Sequence, residues 1–127
     1  MLLDSNIVIY GIHPDRRGLR KWIDGLTSVS MSSLSRVEVL GYHKLTEDDR
    51  LATLFLISKF DQTPVTEAII DEAIRLRQLR KMDLGDAIIA ATALVHAETL
   101  ATANISDFKW IPGLSLVNPL DLLNSPS

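Results

Sequence analysis

An α/β architecture, a parallel sheet with helices on both faces, is what this sequence predicts. Short apolar runs alternate along the whole chain with segments of helical periodicity. The intervals that rejoin successive runs have room for helices of roughly 10 to 15 residues, as parallel crossovers require. The chain has 127 residues, of which 46% are hydrophobic and 23% charged, which suits one globular domain spanning 1–127. No repeat, low-complexity segment or linker divides it.

Met1 to Leu3 is an apolar run that breaks at Asp4-Ser5-Asn6, a strand entering a turn or helix start. Leu19, Trp22, Ile23 and Leu26 give Arg16 to Leu26 the spacing of an amphipathic helix. Val29 and Met31 alternate with serines, the period of a short strand, and a helical pattern then runs from Leu34 through Val37 and Leu40 to Leu45. Thr46 followed by Glu47, Asp48 and Asp49 reads as an N-cap with acids complementing a helix dipole, the helix reaching about Phe60. Pro64 and Val65 suggest a third strand, and Thr66 caps a helix with apolar positions at Ile69, Ile70, Ala73, Ile74 and Leu76. A further helix starts near Leu84 and carries Ile88, Ile89, Ala91, Leu94 and Val95. Thr99 to Thr102 and Ser115 to Val117 read as the last two strands, with Pro112-Gly113 between them. Pro119 and the closing Asn-Ser-Pro-Ser predict a frayed tail.

Composition excludes several classes. A formal net charge of −3 argues against coating nucleic acid by bulk positive charge, although an enzyme acting on nucleic acid remains compatible with it. Two basic clusters, Arg16, Arg17, Arg20 and Lys21, then Arg75, Arg77, Arg80 and Lys81, read as solvated helix faces. No stretch free of formal charge, Ala87 to Ala97 included, approaches the roughly 18 residues of a membrane span, so no membrane partner is expected. No basic leader precedes an apolar run, and the absence of cysteine removes thiolate metal sites and cysteine nucleophiles. Both features suit a cytoplasmic protein.

In α/β folds ligands bind outside the carboxyl ends of the strands, where strand order reverses. Directly after the first predicted strand stand Asp4, Ser5 and Asn6; just inside the helix after the second stands Glu38; after the fourth come Thr102, Asn104 and Asp107. Asp83 and Asp86 open the helix before the fourth strand. Carboxylates crowded together raise one another's pKa unless a cation sits among them, and hard divalent ions with oxygen ligands are the natural answer. Metal-assisted hydrolysis of a phosphodiester follows from such a set.

Each acid also has a structural role to weigh. Ser35-Arg36-Val37-Glu38 fits a capping box, Asp83 fits an N-cap, and Asp107 fits a cap on Phe108 to Ile111. Asp86 shares a helical line with Ala90, Ala93 and Ala97, small residues that admit a close neighbour and bury the carboxylate. His13, His43 and His96 show no ligand spacing, and no nucleophile elbow, dinucleotide fingerprint or Walker loop is present. The serines from Ser28 to Ser35 fit strand edge and capping, and Trp22 and Trp110 fit packing better than base stacking.

Four stretches in order then resemble the PIN domain family: the opening Met-Leu-Leu-Asp-Ser-Asn-Ile-Val-Ile-Tyr, Ser35-Arg36-Val37-Glu38, Asp83-Leu-Gly-Asp86-Ala-Ile-Ile-Ala-Ala, and Leu100-Ala-Thr-Ala-Asn-Ile-Ser-Asp107-Phe. The ending Ile111-Pro-Gly-Leu with Val117-Asn-Pro119 is similar too. The resemblance implies a three-layer α/β/α domain with a central parallel sheet of about five strands and Mg²⁺- or Mn²⁺-dependent endoribonuclease activity. Chains of this length and pattern are most similar to VapC-like toxins of type II toxin–antitoxin pairs. By position, the resemblance makes Asp4, Glu38, Asp86 and Asp107 the catalytic and metal-binding acids. Ser5, Asn6, Asp83, Thr102 and Asn104 support them, and Arg36 is offered to substrate. It further implies an RNA substrate, a cognate antitoxin and a homodimer. In the last motif Ala103 stands where the family often has arginine, and Asn104 is neutral where it often has aspartate. Two rival readings stay open: a PIN-like fold used only for binding, and a PIN nuclease outside any toxin–antitoxin system.

Overall fold

The computed structural model describes residues 1–124. The first strand, β1 (Leu2–Leu3), is two residues long and lies at the centre of a five-stranded sheet. The other strands are β2 (Ser30–Ser32), β3 (Asp61–Thr63), β4 (Leu100–Ala101) and β5 (Leu116–Val117), and the sheet order is β3-β2-β1-β4-β5. Every neighbouring pair is parallel. From β1 the chain first builds outward through β2 and β3, then returns to the other side of β1 with β4. The reversal point therefore lies between β1 and β4, which pair Leu2 with Leu100 and Leu3 with Ala101.

Successive residues of a strand face opposite ways, and here both ways lead into core. Leu2 and Leu100 are buried with α5 (Glu67–Leu79), α6 (Leu84–Val95) and α7 (Ile105–Phe108). Leu3 and Ala101 are buried with α1 (Ser5–Gly11), α2 (Arg17–Asp24), α3 (Ser33–Leu40) and α4 (Glu47–Ile57). That is the three-layer α/β/α arrangement expected. The most completely apolar helix, α6, buries Ala87 and Ile89 through Ala93, so its alanines admit the neighbouring helix α5 at short range.

Several local expectations need correction. The third strand precedes Pro64 instead of containing it, because proline brings no N–H to the ladder. The helix from Leu34 stops at Leu40; Gly41 ends it, its N–H donating to Val37 O (2.8 Å), and Leu45 lies in the following loop. Ser30 and Ser32 are buried with Met31, so alternation at β2 does not mark an exposed face. Their hydroxyls are satisfied, Ser30 donating to Glu98 and Ser32 accepting from Leu34 N. The helix at Arg16 to Leu26 is shorter, with a 3-10 turn at Pro14–Arg16 before it. The helix after Thr46 closes at Ile57, short of Phe60. The expected frayed tail opens instead with α8 (Pro119–Asn124); its last residues, 125–127, lie outside those described. No helix among the described residues is long and apolar enough to cross a membrane.

Candidate active site

Asp4 leaves β1 at the level where Thr102 leaves β4, because the Leu3–Ala101 register sets the two strands side by side. The Asp4 N–H continues the ladder to Ala101 O (2.9 Å), and its carboxylate caps α1, Oδ1 accepting from Ser5 N (2.8 Å). Oδ2 accepts from the Thr102 hydroxyl (2.9 Å), which in turn accepts from Asn104 N (3.0 Å). Asp4 is 7% exposed and Thr102 fully buried. Burial pushes the Asp4 carboxyl above its ordinary range; the bonds from Thr102 and Ser5 oppose the shift, and the charges of Glu38 and Asp107 add to it.

Glu38 arrives from the other side of β1. Ser32, at the end of β2, caps α3, which removes the capping-box reading of Ser35 and Glu38. One turn of helix puts Ser35 and Glu38 on the same face. The Ser5 hydroxyl donates to Glu38 Oε1 (2.8 Å) and stands 2.9 Å from Ser35 Oγ. A Cβ built on Gly85 would lie 4.0 Å from Glu38 Oε2, so the second oxygen reaches the first turn of α6.

That turn carries Asp86, half-buried, whose carboxyl is pushed up to about 6. Desolvation is the main cause, followed by the charges of Asp4, Asp107, Asp83 and Glu38. A helix N-terminus favours a carboxylate; burial and repulsion outweigh it here. Asp83 occupies the N-cap position of α6 without making a side-chain capping bond, so its capping reading fails. Asp107 lies within α7 and does not cap a later segment; its carbonyl accepts from Trp110 Nε1 (3.1 Å). Asp83, Asp86, Ser106 and Asp107 line one cleft of about 300 Å³ together with Arg80, Lys81, Met82 and Trp110.

The structure thus brings Asp4, Ser5, Glu38, Asp83, Asp86, Thr102 and Asp107 into one neighbourhood. Asn6 is half-buried in α1, Asn104 is exposed at the start of α7, and Arg36 is exposed on α3; their side chains make no hydrogen bond to the acids. Ser35 was legible only as a cap, although its place one turn before Glu38 marks the same helix face.

No lysine or arginine among the described residues forms an ion pair with these acids. Nor do any three His, Cys, Asp or Glu side chains among them form a ready-made metal cage. The donor chemistry nevertheless suits a hard divalent cation. Mg²⁺ commonly takes one or two carboxylates and completes its shell with water and substrate phosphate. Oxygen donors, uncompensated negative charge and an open cleft are what such a site requires.

These features define a doubly wound α/β domain with an acidic cleft at its topological reversal point. The sequence profile of the PIN domain family matches residues 1–113, and the chain belongs to that family. Among solved structures, a toxin–antitoxin complex from Klebsiella pneumoniae is similar at 32% identity and a TM-score of 0.76, covering 93% of this chain and 96% of that one. VapBC2 from Rickettsia felis, bound to a DNA fragment from its promoter, is similar in fold at 23% identity and a TM-score of 0.81, with 92% and 96% covered. DNA-bound VapBC from Salmonella typhimurium is similar in fold at 20% identity and a TM-score of 0.80, with 93% and 96% covered. No curated protein matches the chain.

Proposed function

We propose that this chain is an endoribonuclease dependent on Mg²⁺ or Mn²⁺, the VapC-like toxin of a type II toxin–antitoxin pair. The observation that carries the reading is the convergence of Asp4, Glu38, Asp83, Asp86 and Asp107 at one end of the sheet, where none of them forms an ion pair with a lysine or arginine among the described residues and burial and mutual repulsion push the Asp86 carboxyl up to about 6. Such a group calls for an external cation. Asp4, Glu38, Asp86 and Asp107 would hold it, with Asp83, Asn104 and Asn6 as supporting residues. When bound, a divalent ion there supplies charge to a scissile phosphate and lowers the pKa of an attacking water. Thr102 holds the Asp4 carboxylate in one orientation, and Ser5 does the same for Glu38. Arg36, exposed on α3 two residues before Glu38, projects about 200° round the helix from it, so its contact with substrate rests on the family resemblance alone.

RNA cleavage with Mg²⁺, compared with EDTA and with Asp86→Asn, tests this directly. Cleavage lost in both comparisons supports it; equal cleavage in all three removes it. The toxin part has its own readout. Expression should stop host growth and the antitoxin's co-expression should restore it, whereas a processing nuclease would leave growth intact.

An antitoxin segment would suit a groove of about 550 Å³ bordered by Ile9, Ile12, Val37, Tyr42 and Leu45, because Glu38 also lines it. Val37, 67% exposed, leaves much of an apolar side chain open to solvent there. A second copy of the chain suits the groove of about 610 Å³ between α5 and α6, where Ile70, Ile74 and Leu84 are exposed. Sedimentation at micromolar concentration measures that assembly; a monomer refutes it.

A further inference from the structure

The cleft beside the acids has a basic wall as well as an acidic one. Arg80 ends α5 in extended backbone, and its guanidinium carbon stands 5.4 Å from the centre of the Trp110 ring. The indole is fixed in its turn. Its N–H donates to Asp107 O (3.1 Å), and its ring packs against the core that contains Leu2 and Leu100. The short connection between α5 and α6 is also tied down, Arg77 Nε donating to Met82 O (3.2 Å). Arg80 and Lys81 are exposed on that connection, and neither forms an ion pair, although Asp83, Asp86 and Asp107 border the same cleft. The guanidinium instead lies against the Trp110 ring.

From this geometry we propose that Arg80, Lys81 and Trp110 form a clamp for single-stranded RNA next to the acidic centre. Arg80 and Lys81 each take one of two backbone phosphates beside the scissile one, and an unpaired base stacks on the Trp110–Arg80 surface. The proposal rests on the ribonuclease reading and adds to it the residues that grip the strand beside the acids. An anion has reason to occupy this wall because the cations are not consumed by their acidic neighbours. Flat cation–aromatic surfaces are where splayed-out bases stack, and a paired base in a duplex has no free face for them. The cleft of about 300 Å³ is at the lower end of ligand-pocket sizes.

The test is fluorescence anisotropy with a labelled single-stranded RNA 12-mer in Ca²⁺ buffer across a salt series, probe integrity being checked on gels. Arg80→Ala with Lys81→Ala should weaken binding tenfold or more. It should also flatten the log K against log salt slope by about 1.4, the loss of two contacts on a single strand. Trp110→Ala should weaken binding several-fold and Trp110→Phe far less; where Trp110→Ala fails to fold by circular dichroism, the phenylalanine variant and the double variant decide. Arg50→Ala, which removes one positive charge from α4, should bind as wild type does. The clamp is overturned if the double variant binds within twofold of wild type at an unchanged slope, or if Arg50→Ala loses as much. Tighter binding of a duplex, or of DNA of the same sequence, overturns it as well. A wild type that cuts RNA while the variants bind it normally refutes the clamp alone; a wild type that neither cuts nor binds RNA refutes the ribonuclease reading beneath it.

Discussion

Thr102 is fully buried, and its hydroxyl proton is directed at Asp4 Oδ2. Thr102→Val keeps the shape and removes that donor, leaving a buried carboxylate oxygen unpaired at a cost of roughly 1–3 kcal/mol. Urea unfolding of the metal-free protein should report a loss of that size, and an unchanged midpoint would contradict the role. Asp86 makes a pH prediction. Its carboxyl titrates near 6 in the folded chain against an ordinary value of 3.8, so between those pH values the folded state holds more protons than the unfolded one. This contribution to stability therefore falls as pH rises through the window and stays low above it. In EDTA, Tm should be higher at pH 5 than at pH 7, and Asp86→Asn should shrink the difference. A pH dependence identical in wild type and variant would exclude Asp86 as its source. These acids were legible in the sequence because a charge beside an apolar run, as at Leu3-Asp4, has few structural explanations. Their hydroxyl partners were less so, since a serine or threonine signals a cap as readily as a carboxylate donor.

Helix caps are the clearest element-level signal, and Thr46 shows why. Its hydroxyl accepts from Asp49 N (3.1 Å), as the spacing to the following acids anticipates. Thr46→Ala should lower stability by about 1 kcal/mol and shift the urea midpoint at constant m, since one orphan N–H loses its acceptor. A change of m, or none in the midpoint, would show that the cap contributes differently. The caps at Thr66 and Ser32 work likewise, but only Thr66 was legible, because Ser32 sits in a run of serines with several candidate frames. β3 was misplaced for a physical reason. Its residues, Asp61, Gln62 and Thr63, form an edge strand with polar side chains, so hydrophobic patterning could not find it. Val37 misled in the opposite sense, an apolar residue on a helical line that faces outward.

For the molecule as a whole, the proposed ion binding would be linked to folding. A cation that binds the acidic cleft only in the folded state should stabilise the chain by about 2.7 kcal/mol at a concentration one hundred times its Kd. Tm should rise by several degrees with Mg²⁺ or Mn²⁺ and return with EDTA, while Glu38→Gln should weaken the response. A Tm indifferent to both ions would remove the metal from the account. The sheet order that makes such a cleft was only half legible: alternating strands and helices imply parallel pairing, but nothing local says that β4 lies beside β1 and not beside β3. That pairing sets a schedule for synthesis. The bond from Thr102 to Asp4 joins residues 98 positions apart, and Asp107 comes later still. Domains emerge amino-terminus first, so a chain halted before Leu100 carries Asp4 and Glu38 but lacks the strand that positions them. The acidic cleft is therefore assembled only once β4 has been made, however early Asp4 and Glu38 leave the ribosome.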